Sequence, residues 1–226
     1  MNTLPNLAQV GALIGDPVRA AMLGVLMDGS ERPAGELAEV SGVSPQTASS
    51  HLARLLDGGL LAVNRHGRHR YYRLRDSEVA HAVETLSVAA DIAPRRCRAI
   101  DPGLKRARRC YDHIAGELGV AICDSLVADN RVVAGGDGYI LSEAGSKWLK
   151  SHGLAPPADC RRPIVRSCLD WSERRPHLAG WLGMAILDEI NKNGGVDRSF
   201  DTRSLRVTGN GRASLKRLFG MDWPPN

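Results

Sequence analysis

The segment 34–76 constrains the fold of this chain most, because it contains two short helical patterns separated by a glycine turn. The first pattern covers Ala34 to Val40 and stops at Ser41-Gly42. The second begins at Ser44, whose hydroxyl can cap a helix, and Pro45 suits the first helical position because no N–H donor is needed there. Two short helices joined in this way predict a helix-turn-helix.

The second helix has one apolar side and one polar side. Leu52, Leu55 and Leu56 form the apolar side, which is expected to face the core. The other side offers small polar groups and one arginine, which are of a size to read base edges in a DNA major groove. The residues expected to contact DNA on or beside this helix are Ser44, Gln46, Thr47, Ser49, Ser50, His51 and Arg54.

A basic hairpin is predicted directly after this helix. Strand-like segments at 60–64 and 69–74 flank the turn His66-Gly67-Arg68. Residues 60–75 hold five arginines and no acidic residue, which suits contact with phosphates or a minor groove. A helix-turn-helix followed by such a hairpin is a winged helix, and its expected DNA contacts are Arg65, Arg68, His69 and Arg70. The alternative is a winged helix used only for protein contact, with a merely solvated basic face.

The segment GELAEVSGVSPQTASSHLARLLDGGLLAVNRHGRHRYYRL closely resembles the ArsR/SmtB family of bacterial transcriptional repressors. The resemblance implies a homodimer formed by the first helix and by the helix after the wing, 77–92. It also implies a two-fold operator in double-stranded DNA, with half-sites about one DNA turn apart. The two metal sites usual in that family lack ligands here, since the first has no cysteine and Ala89 and Ile92 occupy later ligand positions of the second. His81 and Glu84 are therefore expected to be solvated.

Charge and apolar content limit the possible partners and location. Residues 1–92 carry 8 basic and 10 acidic side chains, a net −2, whereas residues 93–226 carry 22 and 15, a net +7. DNA binding by the first domain should therefore depend on a local patch. No apolar run reaches membrane-spanning length and no secretory signal pattern is present, so we expect a cytoplasmic protein without a membrane partner.

The second half of the chain contains an internal repeat. Residues 113–124 align with 177–188 at an offset of 64, and eight of the twelve positions are identical. Each copy predicts a long helix, a β-hairpin and a shorter helix, with Ser142 or Thr208 as the cap of the shorter helix. Glycines in the long helices, at 116, 119, 180 and 183, are expected where these helices cross.

These patterns predict a fold that is mainly α with small β-hairpins (α+β). A winged helix-turn-helix domain for DNA binding and dimerisation covers 1–92, and a basic linker covers 93–109. This linker would either lie along the DNA backbone or be a merely solvated connection. A duplicated domain of two helix–hairpin–helix units covers 110–226 and serves effector binding or assembly.

Two pairs of cysteine and histidine could form a metal site in the duplicated domain. Cys110 and His113 lie three residues apart at the expected start of the first long helix, and Cys168 and His177 precede the matching point of the second. If the two copies pack symmetrically, two thiols and two imidazoles could converge as the ligands of a tetrahedral, zinc-like ion. The alternative is that these histidines pack at helix ends and that the cysteines are small core residues.

Two other effector sites are compatible with the same domain. Tyr111, Trp171 and Trp181 could line a pocket for a small molecule. Oxidation of Cys110 or Cys168 is the other possibility, which requires a lowered thiol pKa. The five cysteines are odd in number and widely spaced, so they do not indicate a disulfide framework.

The sequence therefore favours a homodimeric repressor that an effector releases from its operator. The effector would be a metal or metalloid, an oxidant or a small molecule sensed in the C-terminal domain. The alternative is a non-sensing architectural DNA-binding protein whose repeat serves only assembly. No phosphate loop, Gly-x-Ser-x-Gly elbow or acid–base pair is present, so an enzyme is not predicted.

Overall fold

The computed structural model describes residues 7–67, 69–92, 101–136, 138–198 and 203–224, without the side chains of His66, Asp91, Ile92 and Arg198. The chain divides into two compact units, Met1–Val83 and Glu84–Asn226. The boundary lies within a helix that was assigned whole to the first domain from the sequence. No helix in the described ranges combines the length and the apolar character needed to cross a bilayer.

The first unit is a winged helix-turn-helix, as predicted. Its helices are α1 (Leu7–Ile14), α2 (Pro17–Leu26), α3 (Ala34–Ser41), α4 (Pro45–Asp57) and the beginning of α5 (Ser77–Ile92). Its strands β1 (Arg32–Pro33), β2 (Leu61–His66) and β3 (His69–Leu74) form one antiparallel sheet in the order β1-β3-β2. The short strand β1, which pairs with β3 at Tyr71 and Tyr72, was not anticipated from the sequence.

Local capping explains where the helices of the first unit begin and end. Asp16 accepts a hydrogen bond from the Arg19 N–H at 3.0 Å and caps α2, and Ser44 accepts from the Thr47 N–H at 3.2 Å and caps α4. Gly42 ends α3 with a φ of 67°, in the left-handed region that glycine adopts without strain. The buried core below these helices includes Met22, Leu23, Leu26, Leu37, Leu52, Leu55 and Leu74.

The second unit contains two runs of the same element order, a hairpin, a long helix, a second hairpin and a shorter helix. The first run comprises β4 (Arg108–Cys110), β5 (His113–Ala115), α7 (Glu117–Ala128), β6 (Val132–Gly135), β7 (Gly138–Leu141) and α8 (Glu143–Ser151), preceded by α6 (Pro102–Arg106). The second run comprises β8 (Arg166–Leu169), β9 (Pro176–Ala179), α9 (Gly180–Asn191), β10 (Val196–Arg198), β11 (Leu205–Val207) and α10 (Gly209–Phe219). Each hairpin is a two-stranded antiparallel sheet, and Ser142 and Thr208 cap α8 and α10.

The hairpins β4–β5 and β8–β9 correct the placement of the first histidine. His113 was expected at the start of a helix, with Cys110 on the same helical face. Instead His113 lies on strand β5 and pairs with Cys110 across an antiparallel hairpin. The helix begins only at Glu117, after Gly116, whose φ of 79° is a backbone conformation that glycine adopts without strain.

The expected linker is also partly folded, so that prediction was wrong for residues 102–109. Pro102 to Arg106 form α6, and β4 begins at Arg108, whose side chain is 0% exposed. Buried carboxylates, described below, compensate the charge of Arg108, so a basic composition did not imply a solvated segment here. Residues 93–100 lie outside the described ranges.

Two glycines of the long helices lie against strands rather than at a crossing of helices. A Cβ atom at Gly119 would lie 2.3 Å from the carbonyl oxygen of Ile114, and one at Gly183 would lie 2.2 Å from that of Leu178. These glycines therefore allow α7 and α9 to pack directly on the backbone of β5 and β9. The core around them includes Leu118, Ile122, Leu126, Trp181, Leu182, Ile186 and Leu215.

Candidate nucleic-acid interface and a buried Cys/His cluster

The helix α4 exposes the polar side that the sequence predicts. Ala48, Leu52 and Leu55 are buried. The residues on the solvent side are exposed, namely Gln46, Thr47, Ser49, Ser50 and Arg54. Ser44 lies beside them at the N-terminus, where its hydroxyl caps the helix and lies 2.9 Å from the Thr47 hydroxyl. This surface presents hydrogen-bonding groups along nearly three helical turns.

His51 does not lie on this exposed side, although the sequence placed it there. Its side chain is half-buried, and its Nδ1 lies 3.4 Å from Nη1 of Arg19 and 3.6 Å from Oδ1 of Asp16. Arg19 in turn donates to the carbonyl oxygens of Leu13 and Ala12, each at 2.7 Å. His51 therefore belongs to the packing of α4 on α2.

Two arginines of the wing face each other across the hairpin. Arg65 and Arg70 are directly opposed on β2 and β3, and both are exposed. Like charges in this arrangement repel each other and destabilise a hairpin. His69 is also exposed, and the Arg70 guanidinium lies 5.5 Å from the centre of the Tyr72 ring. Arg68 lies outside the described residues. An anion bound at this surface would relieve the repulsion between Arg65 and Arg70.

Two other wing arginines are engaged within the protein. Arg73 donates to the carbonyl oxygens of Leu74 and Arg75 and lies 3.5 Å from a carboxylate oxygen of Glu31. Arg75 donates to Asp76 at 2.7 Å. Residues 60–75 contain no acidic residue, but Glu31 and Asp76, the acidic partners of these two arginines, lie outside that range. The basic surface is therefore concentrated nearer the turn.

In the second unit, the structure brings together the four residues that the sequence singled out as metal ligands. The sulfur and nitrogen atoms of Cys110, His113, Cys168 and His177 lie within 4.8 Å of one another, and all four residues are buried. Cys110 pairs with His113 on β4–β5, and Cys168 pairs with His177 on β8–β9. Each hairpin thus contributes one cross-strand Cys–His pair.

The two imidazoles point the same ring atom at the centre of the cluster. Their Nε2 atoms are 3.1 Å apart, and the rings stack at a centroid distance of 5.0 Å. The outer Nδ1 atoms face carboxylates, that of His113 at 3.1 Å from Asp112 and that of His177 at 3.7 Å from Asp170. Each histidine therefore has its Nε2 in contact with the other ring and its Nδ1 on the side of an acidic residue.

Burial and mutual contact shift the pKa values in this cluster. The contact with Cys168, together with burial, raises the pKa of the Cys110 thiol well above its usual value. Burial alone would lower the pKa of His113, but its contacts with Cys110 and Asp112 outweigh it and raise that pKa to about 9. Burial and the charge of His113 lower the pKa of His177 well below its usual value. The two Nε2 atoms are 3.1 Å apart, so the two imidazoles share one hydrogen bond.

The acids behind the histidines are held as carboxylates. Burial alone would raise the pKa of Asp112, but hydrogen bonds from His113 and Arg162 lower it. Burial would also raise the pKa of Asp170, but the charge and hydrogen bond of Arg108 hold it well below its usual range. The Gly116 N–H strengthens this effect, since it donates to Oδ2 of Asp170 at 2.6 Å.

Asp170 belongs to a buried network of charges that the sequence did not predict. Arg108 lies 2.9 Å from Asp170 and 3.4 Å from Glu84, and Arg203 lies 3.1 Å from the other oxygen of Glu84. Glu84 is 0% exposed, so the expectation that it is solvated was wrong. The local sequence does not distinguish Glu84 from the exposed Glu78, because both are acidic residues on the same helix.

The three aromatic residues proposed as a ligand pocket have other neighbours. Trp181 is 5% exposed and packs in the core of the second unit. Trp171 lies under the Arg108 guanidinium, 4.5 Å from ring centre to Cζ. Tyr111 forms the turn between β4 and β5 with a φ of 59°. An open cavity of about 450 Å³ is lined by other residues, among them Arg106, Leu205 and Trp223.

Comparison with known proteins agrees with the winged helix. A family model described as a helix-turn-helix domain matches residues 14–64. The chain is 38% identical over 221 residues to a protein of Bacillus subtilis (strain 168) named uncharacterized HTH-type transcriptional regulator YdfF, covering 94% of this chain and 96% of that one. It is also 38% identical over 80 residues to the HTH-type transcriptional regulator CmtR of Mycobacterium bovis, covering 35% of this chain and 67% of CmtR.

Among solved structures, the chain is similar to the homodimeric winged helix-turn-helix DNA-binding domain of Mb0332 from Mycobacterium bovis. The identity is 27%, the match covers 45% of this chain and 100% of that domain, and the TM-score is 0.37. A TM-score this low adds nothing to the sequence relationship. The relative matched over nearly its whole length is named as a transcriptional regulator, and the match spans both structural units.

Proposed function

We propose that this chain, which belongs to the family of HTH-type transcriptional regulators, is a homodimeric repressor of the ArsR/SmtB type. The repressor would act in the cytoplasm and leave its operator when its second unit binds an effector. The observation that carries the proposal is the surface formed by the exposed polar side of α4 and the opposed arginines Arg65 and Arg70.

Recognition of DNA would divide between these two elements. The exposed side of α4 would enter the major groove, where Gln46 and Arg54 have the hydrogen-bonding groups that distinguish adenine and guanine. Arg65 and Arg70 would bind phosphates or the minor groove. Because a phosphate between them would remove their mutual repulsion, DNA binding would also favour the folded hairpin.

The first helix supports the homodimer. Its eight residues are largely apolar, none of them is buried, and Leu7 and Val10 are 78% and 40% exposed. Exposed apolar residues grouped on one helix favour an interaction surface. The family resemblance implies that this helix contributes to the dimer contact. A DNA-binding dimer with two-fold symmetry requires an operator with two-fold symmetry.

The test is fluorescence anisotropy of the full chain on DNA from its own upstream region and on a scrambled duplex. A repressor is expected to prefer the upstream DNA by a factor of about 10³ or more. An architectural protein would bind both duplexes with similar affinity, and that result would overturn the proposal.

Two variants assign the roles of α4 and the wing. Gln46→Ala is expected to alter base preference within the operator, because alanine cannot hydrogen-bond to a base edge. Arg65→Ala is expected to weaken binding to both duplexes and to reduce the slope of log affinity against log salt by about 1 for each phosphate that the protein no longer neutralises. Lys147→Ala, which removes an exposed cation from the second unit, is the control for net charge. If Arg65→Ala and Lys147→Ala behave alike, the wing is not part of the interface.

A further inference from the structure

We propose that Cys110, His113, Cys168 and His177 bind one zinc ion, or a d¹⁰ ion of similar softness, in a closed tetrahedral site that joins the hairpins β4–β5 and β8–β9. The proposal deepens the proposed function in one respect, because it identifies the class of effector that the second unit could bind. The existence of the metal site itself does not depend on DNA binding.

The separation of the donor atoms fits such an ion. Bonds of about 2.0–2.1 Å to nitrogen and about 2.3 Å to sulfur give tetrahedral edges of about 3.3 Å between nitrogens and about 3.8 Å between sulfurs. The two Nε2 atoms are 3.1 Å apart, and no pair of donor atoms exceeds 4.8 Å. Coordination therefore requires side-chain shifts of about 1 Å or less, with both hairpins retained.

The surroundings of both histidines are those of metal ligands. A histidine that binds a metal through one nitrogen usually donates its other N–H to a carboxylate or carbonyl group, which fixes the ring. Asp112 and Asp170 occupy that position at the Nδ1 atoms of His113 and His177. Nδ1 of His177 is buried without a hydrogen bond and lies 3.7 Å from Asp170, so a small rotation of the ring would complete this contact.

The internal repeat supplies an independent argument. Each copy places one cysteine opposite one histidine on the hairpin before its long helix, although the cysteines occupy different positions in the sequence alignment. A Cβ atom at Gly119 would lie 3.5 Å from Cβ of His177, and one at Gly183 would lie 3.0 Å from Cβ of His113. The small residue in each copy thus lies beside the histidine of the other copy, so the cluster is located where the two copies meet.

The site has no open position for chemistry. Four protein ligands complete a tetrahedral zinc shell, whereas catalytic zinc keeps one position for water or substrate. The ion would therefore hold structure or transmit a signal. Asp170 behind His177 contacts Arg108, and Arg108 contacts Glu84, so the cluster is continuous with the buried charge network of the second unit.

The experiment titrates Co²⁺ and then Zn²⁺ into the reduced, chelator-treated full chain. We expect one Co²⁺ per chain, with the ligand-field bands of a tetrahedral ion and a thiolate charge-transfer band, and displacement of Co²⁺ by one Zn²⁺. Cys168→Ser and His177→Gln are expected to weaken Co²⁺ binding at least 100-fold. Cys160→Ser is the matched control, since Cys160 is half-buried outside the cluster.

A variant that retains all four ligands tests the site even if the ligand substitutions prevent folding. Asp112→Asn keeps all four ligands and changes a side chain that is 17% exposed. It is expected to fold and to weaken Zn²⁺ binding about 10- to 100-fold with unchanged stoichiometry. Circular dichroism of each metal-free variant, compared with that of the metal-free wild type, identifies any that do not fold.

Two results would overturn the metal site. These are no stoichiometric binding to the reduced chain, or binding that survives both ligand substitutions. Operator affinity with and without Zn²⁺ is measured separately. If the chain binds Zn²⁺ but operator affinity is the same with and without it, the zinc site exists and zinc is not the effector. If the chain does not bind the operator, only the proposed function is refuted.

Discussion

Among single residues, Glu84 has an unusual position, because both of its carboxylate oxygens face guanidinium groups, one buried and one 13% exposed. Arg108 lies 3.4 Å from one oxygen and Arg203 lies 3.1 Å from the other. The charge of Glu84 also raises the pKa of Arg203 against the lowering effect of burial. The carboxylate therefore compensates cations that have little access to water.

We expect Glu84→Gln to lower the free energy of unfolding of the second unit by about 3–5 kcal/mol, because it leaves buried positive charge uncompensated. Urea denaturation followed by circular dichroism measures this change. Glu78→Gln on the exposed part of the same helix is the control and should change stability by less than about 0.5 kcal/mol. Equal effects of the two substitutions would show that the network contributes little.

Among the secondary-structure elements, the packing of α7 on β5 depends on the absence of a side chain at one position. A Cβ atom at Gly119 would lie 2.3 Å from the carbonyl oxygen of Ile114, and backbone cannot yield as a flexible side chain can. Gly24 on α2 is the opposite case, since a Cβ atom there would have no neighbour within 4 Å. Substituting alanine at each of these two glycines therefore distinguishes the cost of a steric clash from the gain in helix propensity.

Gly119→Ala is expected to destabilise the chain by about 1–3 kcal/mol, because α7 must move away from the strand. Gly24→Ala is expected to stabilise it by up to about 1 kcal/mol, because alanine favours the helix and meets no obstacle. Thermal unfolding of both variants under identical conditions provides the comparison. Stabilisation of the chain by Gly119→Ala would contradict the close contact between α7 and β5.

For the whole molecule, the proposed assembly depends on the apolar residues that α1 leaves uncovered. Leu7→Glu combined with Val10→Glu should convert a dimer into a monomer, because two carboxylates per chain would be buried in the interface. Sedimentation velocity measures the mass of the assembly. Operator affinity should fall when the dimer is lost, since a monomer contacts only one half-site. Ile140→Glu, on an exposed apolar residue of the second unit, is the control. A double variant that remains dimeric would exclude α1 as the interface.

The sequence determined the winged helix, because the signals for its elements act over short distances. Ser44 caps α4, Pro45 follows it, and leucines three or four residues apart mark the buried side, so neighbouring residues are sufficient to define the element. The identity between residues 113–124 and 177–188 likewise indicated two copies of one unit before any contact was known.

Only the tertiary structure decided which polar residues meet. Helical spacing put His113 on a helix, but pairing with Cys110 holds it on a strand, and the Nε2 contact with His177 joins residues 64 positions apart. Arg203, a partner of Glu84, is also distant from it in the sequence. Arg73 contacts Glu31, which lies just before strand β1. Helical periodicity and capping are properties of a few consecutive residues, whereas burial of a charge or convergence of four ligands depends on how distant segments pack.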